Sequence, residues 1–158
     1  MMIIITLIVF VIDIISKLLV VNFINYNENI YLIGNFLSVT YVKNYGAAWS
    51  IFYDRSYLVT IISLLIILAI VYYLIKNKPT KNIEKIAYSL ILGGAFGNFV
   101  NRIIYGYVVD FIDIKIFNYD YPIFNLADSF IVVGVLIMII YTWRCNKNGD
   151  SSIREWFC

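Results

Sequence analysis

The sequence predicts an all-α membrane protein: four transmembrane helices, a small extracytoplasmic β-hairpin and a short interfacial helix. Three observations carry that prediction. Of 158 residues, 62% are hydrophobic and 14% charged, with a mean hydropathy of +0.84, whereas globular chains carry about 25% charged residues. Four apolar stretches are long enough to cross a hydrocarbon core of about 30 Å, which takes about 20 residues at about 1.5 Å each. Lysine and arginine are shared unequally between the connecting segments, the pattern that orients membrane proteins.

The first span, residues 3–21, is interrupted by Asp13 and Lys17. It offers neither the basic start nor the small-residue cleavage site of a removable signal peptide, so it reads as a retained helix. Residues 57–75 form the clearest span, with no charge, and residues 86–104 hold Arg102 near their end. The fourth span covers residues 124–143. Lys76, Lys78, Lys81 and Lys85 in the connection 76–85, with Arg144, Lys147 and Arg154 in the tail 144–158, oppose Lys43, Arg55 and Lys115 on the other side. Seven cations against three place both termini in the cytoplasm and segments 22–56 and 105–123 outside. Within the first outer segment, Asn29 to Lys43 holds two β-rich runs around Gly34-Asn35, a hairpin with glycine supplying the turn. Gly46 to Phe52 reads as an interfacial helix with Trp49 and Phe52 in the headgroup layer. The chain is read as one membrane domain, without internal repeat or low-complexity tract.

Composition also limits the chemistry. Histidine is absent, which removes Ser-His and Cys-His nucleophiles and every His-based metal site. Two cysteines, Cys145 and Cys158, are too few for a four-ligand zinc site. A net charge of +2 gives no footprint for nucleic acid. Carboxylates, amides, hydroxyls and a few cations remain.

Ionisable groups within spans are costly and are functional candidates. Asp13 and Lys17 stand i, i+4, on one helix face, as an ion pair that orients the first helix or as support for a site. Asn98 and Arg102 repeat that spacing, with Asn101 beside them; Gly93, Gly94 and Gly97 precede them and favour close helix contact. Asp110 follows the third span and Asp128 begins the fourth. Two carboxylates a few ångströms apart share one proton, an arrangement suited to activating water. Asp128, at a helix N-terminus, is then the ionised base, and Asp110, in a loop among Val108, Val109 and Phe111, holds the proton. The alternative leaves two solvated loop or helix-end acids, or acids paired with Arg102.

Four separated stretches taken together resemble the lipoprotein signal peptidases, or signal peptidase II: Asp13-Ile14-Ile15-Ser16-Lys17; Asn44-Tyr45-Gly46-Ala47-Ala48-Trp49-Ser50; Gly93 through Arg102; and Val109-Asp110-Phe111 with Phe124-Asn125-Leu126-Ala127-Asp128. The resemblance implies a bacterial inner-membrane aspartic peptidase with four helices and an extracytoplasmic β-cradle. Such an enzyme removes the signal peptide of a prolipoprotein before a cysteine that carries diacylglyceryl. It implies a catalytic pair at Asp110 and Asp128, and support from Asp13, Lys17, Asn44, Gly46, Ala47, Asn98, Arg102, Asn125 and Ala127. The chain departs from the family at Asn101, where Asp is usual, and at Trp49, where Phe is usual.

A lipid-modified substrate then enters laterally, acyl chains in the bilayer and scissile bond at the outer surface, while the hairpin and residues 44–52 cover the site and limit water. No cofactor is required, prolipoproteins and membrane lipids are the partners, and the chain is expected to act as a monomer. The rival readings are a small transporter, which more often shows a repeat and midplane charges, and a non-catalytic assembly factor, favoured if the two acids stand apart.

Overall fold

The computed structural model describes residues 1–46, 55–117 and 119–147. Of the expected interfacial helix from Gly46 to Phe52, residues 47–52, with Ala47 and Trp49, lie outside the described residues, as does the tail end with Cys158. Four helices carry the fold: α1 (Met2–Phe23), α2 (Ser56–Asn77), α3 (Asn82–Tyr105) and α4 (Leu126–Lys147). Three of them are long and apolar enough to cross a membrane: Met2–Phe23, Ser56–Asn77 and Leu126–Cys145. They keep large side chains such as Ile3, Leu65 and Ile139 exposed, as a lipid-facing surface does. α3, at 24 residues, is as long but more polar, and it is the hub on which the other three helices pack.

Small residues bring those helices close. A Cβ at Gly93 would strike Val9 and the Thr6 carbonyl on α1; at Gly94 it would strike the Ala127 carbonyl on α4. Gly134 approaches Ala87 and Ile91 of α3 in the same way. Backbones this close gain dispersion along their length, the main source of helix association where both solvent and side chain are apolar.

At one end of the bundle stand β1 (Asn29–Ile33), β2 (Leu37–Asn44) and β3 (Val108–Ile116) in an antiparallel sheet, extended by the two-residue β4 (Tyr119–Asp120). Gly34, at a φ of 47°, makes the β1–β2 turn, where a side chain would be strained. β2 pairs with β3 so that Val42 faces Asp110 and Asn44 faces Val108. Val20 of α1, Tyr41 of β2, and Val109 and Phe111 of β3 form a buried cluster, with Leu126 of α4 against it. That cluster seats the sheet on the helix ends.

The segment after the third helix, expected as a loop around Asp110, is a nine-residue strand. Its sequence, VVDFIDIKI, is β-branched and partly alternating, but what orders it is β2, far away in the chain. Pairing at that separation leaves no local signature, because strand preference reflects cross-strand packing more than backbone propensity.

Candidate active site

The site is built where β2, β3, α3 and the start of α4 meet. Asn125, fully buried, precedes α4 and caps it. Its Oδ1 accepts the Asp128 N–H at 3.1 Å, while its own backbone N–H donates to Asp128 Oδ2 at 3.2 Å. This reciprocal capping box satisfies two orphan donors of the helix terminus. It also fixes the Asn125 amide, whose nitrogen must point away from the helix. That Nδ2 donates to Asp110 Oδ1 at 2.6 Å and to Asn98 Oδ1 at 3.1 Å. One amide therefore clamps both aspartates.

The remaining bonds follow in order. The Gly46 N–H donates to Asn44 Oδ1 at 2.9 Å, which leaves Asn44 Nδ2 to donate to Asp110 Oδ2 at 2.7 Å. Asn98 Oδ1 accepts Lys17 Nζ at 2.8 Å, so Asn98 Nδ2 donates to Asp128 Oδ1 at 2.7 Å. Lys17 also meets Asp13 Oδ2 at 2.7 Å, and Asp13 Oδ1 accepts the Ala127 N–H at 3.0 Å. The Asp13–Lys17 pair is thus both an ion pair and a support beneath the site. A Cβ at Gly97 would collide with the Asp13 carboxylate, so that glycine makes room for the buried acid. Every amide orientation here is dictated by a backbone N–H or an ammonium, groups that only donate.

Asp110, Asp128, Asn44, Asn98, Arg102 and Asn125 line one cavity of about 240 Å³, walled by Val108 and by Pro122, Ile123 and Phe124. Asp13, Lys17 and Ala127 stand behind it; Gly46 contributes its backbone; Ala47 is outside the described residues. Asp110 is buried, and its carboxyl is pushed up to about 7, first by loss of water and then by the charge of Asp128. The amides of Asn44 and Asn125 and the charge of Lys17 act in the opposite direction without restoring the usual value. Among the described residues Arg102 forms no ion pair with either acid; its Nη2 donates to the Gly46 carbonyl at 3.1 Å. The alternative of acids paired with Arg102 is therefore not the arrangement found.

Two contributors were not legible as such. Asn101 does not serve Arg102: its Oδ1 accepts the Val109 N–H at 3.2 Å and pins β3 one residue before Asp110. The Phe124 carbonyl accepts the N–H groups of Phe111 and Ile112, at 3.0 and 2.7 Å, tying the approach to α4 onto β3. The only sequence signal for that tie is the Pro122 that keeps the approach extended.

The arrangement can hold one proton between two carboxylates facing a small cavity, the requirement for general acid–base hydrolysis. A family model described as signal peptidase (SPase) II matches residues 5–144. A lipoprotein signal peptidase of Anoxybacillus flavithermus is 42% identical over 140 residues, covering 89% of this chain and 83% of the relative. One of Staphylococcus aureus is 40% identical over 146 residues, covering 92% and 90%. A bacterial membrane enzyme solved by the in meso method at 2.3 Å superposes with a TM-score of 0.87 at 36% identity, covering 96% of this chain and 92% of the other. A second, solved at 1.9 Å, gives 0.81 at 37%, covering 95% and 94%. With nearly its whole length matched in sequence and in structure, the chain belongs to the signal peptidase II family.

Proposed function

We propose that this chain is a four-span aspartic endopeptidase that removes signal peptides from diacylglyceryl-modified prolipoproteins of a bacterial inner membrane, with Asp110 and Asp128 as the catalytic pair. The observation that carries the reading is the shared clamp: Asn125 binds Asp110 through its side chain and Asp128 through its backbone, and both acids face one cavity. α3 is the fourth span; its polar groups point at α1, α4 and the sheet and so avoid lipid. Both termini lie in the cytoplasm and the acid pair at the extracytoplasmic surface, where the diacylglyceryl-cysteine of the substrate sits.

In the resting enzyme Asp110 holds the proton, and Asp128, at the N-terminal end of α4, is the base. Asp128 takes a proton from water as the oxygen attacks the scissile carbonyl. Asp110 donates its proton to the carbonyl oxygen, and a tetrahedral diol forms. The C–N bond then breaks: Asp128 returns its proton to the leaving nitrogen, and Asp110 recovers one from the collapsing diol. Free amine and carboxyl products leave with the pair restored. Asn44, Asn98 and Asn125 hold the carboxylates without exchanging protons.

The test is cleavage of a diacylglyceryl-modified prolipoprotein in a membrane with no other such peptidase. Asp110→Asn and Asp128→Asn should each accumulate uncleaved, lipid-modified precursor while remaining folded, because asparagine keeps the volume but cannot exchange the proton. Normal processing by either variant would end the aspartic reading and revive the non-catalytic one.

A further inference from the structure

We infer that the cleft bounded by α1, α2 and α3 is a binding site for one anionic phospholipid, its phosphate on Lys85 and an acyl chain lying along α3. The inference rests on the membrane placement of these helices and not on the peptidase chemistry. α2 packs on α3 and not extensively on α1, which leaves a cleft of about 860 Å³ floored by Leu92 and Phe96 and walled by Leu7, Phe10, Val71 and Leu74. Its one charged lining side chain is Lys85, at the end of the cleft near Met2. Among the described residues no acid forms an ion pair with Lys85. Neighbouring Glu84 lines a different, polar cavity with Lys78 and Tyr88. Thr6, the other polar side chain in the cleft, donates to the Ser89 carbonyl at 3.5 Å. An apolar trough with an acid-free lysine at its mouth is complementary to a lipid anion, and basic pockets at the lysine-rich ends of spans take such headgroups.

Size and position select the occupant. The cleft follows α3 from Lys85 to Val100, about 22 Å at about 1.5 Å per residue, more than the half-thickness of about 15 Å that one acyl chain covers. The cleft also does not serve the catalytic cavity. At about 100° per residue, Phe96 and Val100 lie on the side of α3 opposite Asn98, and the two spaces share no lining residue.

The test is native mass spectrometry of the full chain released from nanodiscs of phosphatidylcholine alone or with phosphatidylglycerol. One phosphatidylglycerol should be retained per chain and phosphatidylcholine should not. Lys85→Gln should lower retention about tenfold, and Leu74→Phe, which narrows the trough without touching charge, should lower it as well. Both variants should cleave substrate like the parent in phosphatidylcholine, which shows that they are folded. Equal retention of the two lipids, or unchanged retention in Lys85→Gln, overturns the inference. So does a cross-link from Leu74→Cys to a hydrophobic polypeptide segment in place of lipid. Loss of peptidase activity in the aspartate variants leaves this result untouched, so the two readings fail separately.

Discussion

The Asp110 carboxyl, pushed up to about 7 by burial and by Asp128, fixes the sign of two pH effects. In the proposed mechanism catalysis needs its proton, so the log of kcat/KM should fall with unit slope as pH rises above about 7; a profile flat through pH 8.5 in single-turnover cleavage would count against the assignment. Stability runs the same way. The folded value lies above the unfolded one of about 3.9, so the native state binds the proton more tightly. Asp110 therefore lowers stability progressively as pH rises from about 4 to about 7, and no further beyond. Asp110→Asn should flatten that part of a melting-temperature profile in detergent. Positioning groups behave differently: Asn44→Ala removes one of the two amides on Asp110 and should slow cleavage by up to about 10²-fold while leaving it measurable. Asn101 acts through its acceptor oxygen on Val109. Asn101→Asp keeps that acceptor and should retain activity within a few-fold. Asn101→Leu strands a buried N–H, costs about 1–3 kcal/mol, and should lower both melting temperature and rate.

At the scale of elements, the glycines of α3 decide whether the support under the site can form. Gly97→Ala would drive a methyl into the Asp13 carboxylate, which is held on both oxygens by Lys17 and Ala127 and cannot move without releasing one. The expected cost is about 1–3 kcal/mol, as for other overpacked sites, with a larger loss of cleavage than the loss of melting temperature explains. An alanine that left both unchanged would show the contact to be slack. The helices and the β1–β2 hairpin were legible because their signals are local: long, mainly apolar runs, and a Gly-Asn turn between β-rich segments. The acid pair was legible through the resemblance, while spacing left it open. β3 was not, since its partner strand is remote. Nor was the part played by Asn125, because a capping residue that also bonds a second carboxylate looks in sequence like any helix cap. The anchoring of β3 by Asn101 was hidden for the same reason: the bond runs to a backbone N–H eight residues on, not to the side chain next door.

For the molecule as a whole, the sheet, the acid pair and the buried cluster around Tyr41 and Phe111 lie at one end of the bundle, and the lysines of the α2–α3 connection lie at the other. Asn44, Asp110 and Asn125 belong to the first end; Lys76, Lys78, Lys81 and Lys85 belong to the second. Lysine-rich connections stay in the cytoplasm, so the proposed orientation turns the end that holds the acid pair outward. The hairpin tip is a clean reporter of that face, because Gly34 and Asn35 are exposed in the turn. Asn35→Cys should react with a membrane-impermeant thiol reagent in intact cells, above the background of the parent chain. Lys81→Cys should react only after the membrane is opened. The reverse pattern would turn the enzyme over and put the aspartates on the side where no exported substrate arrives. It would also place seven cations outside against three inside, a bias that the retained charges of the loops do not support. Labelling at both positions from outside would mean that α2, the one helix between them, does not cross the membrane.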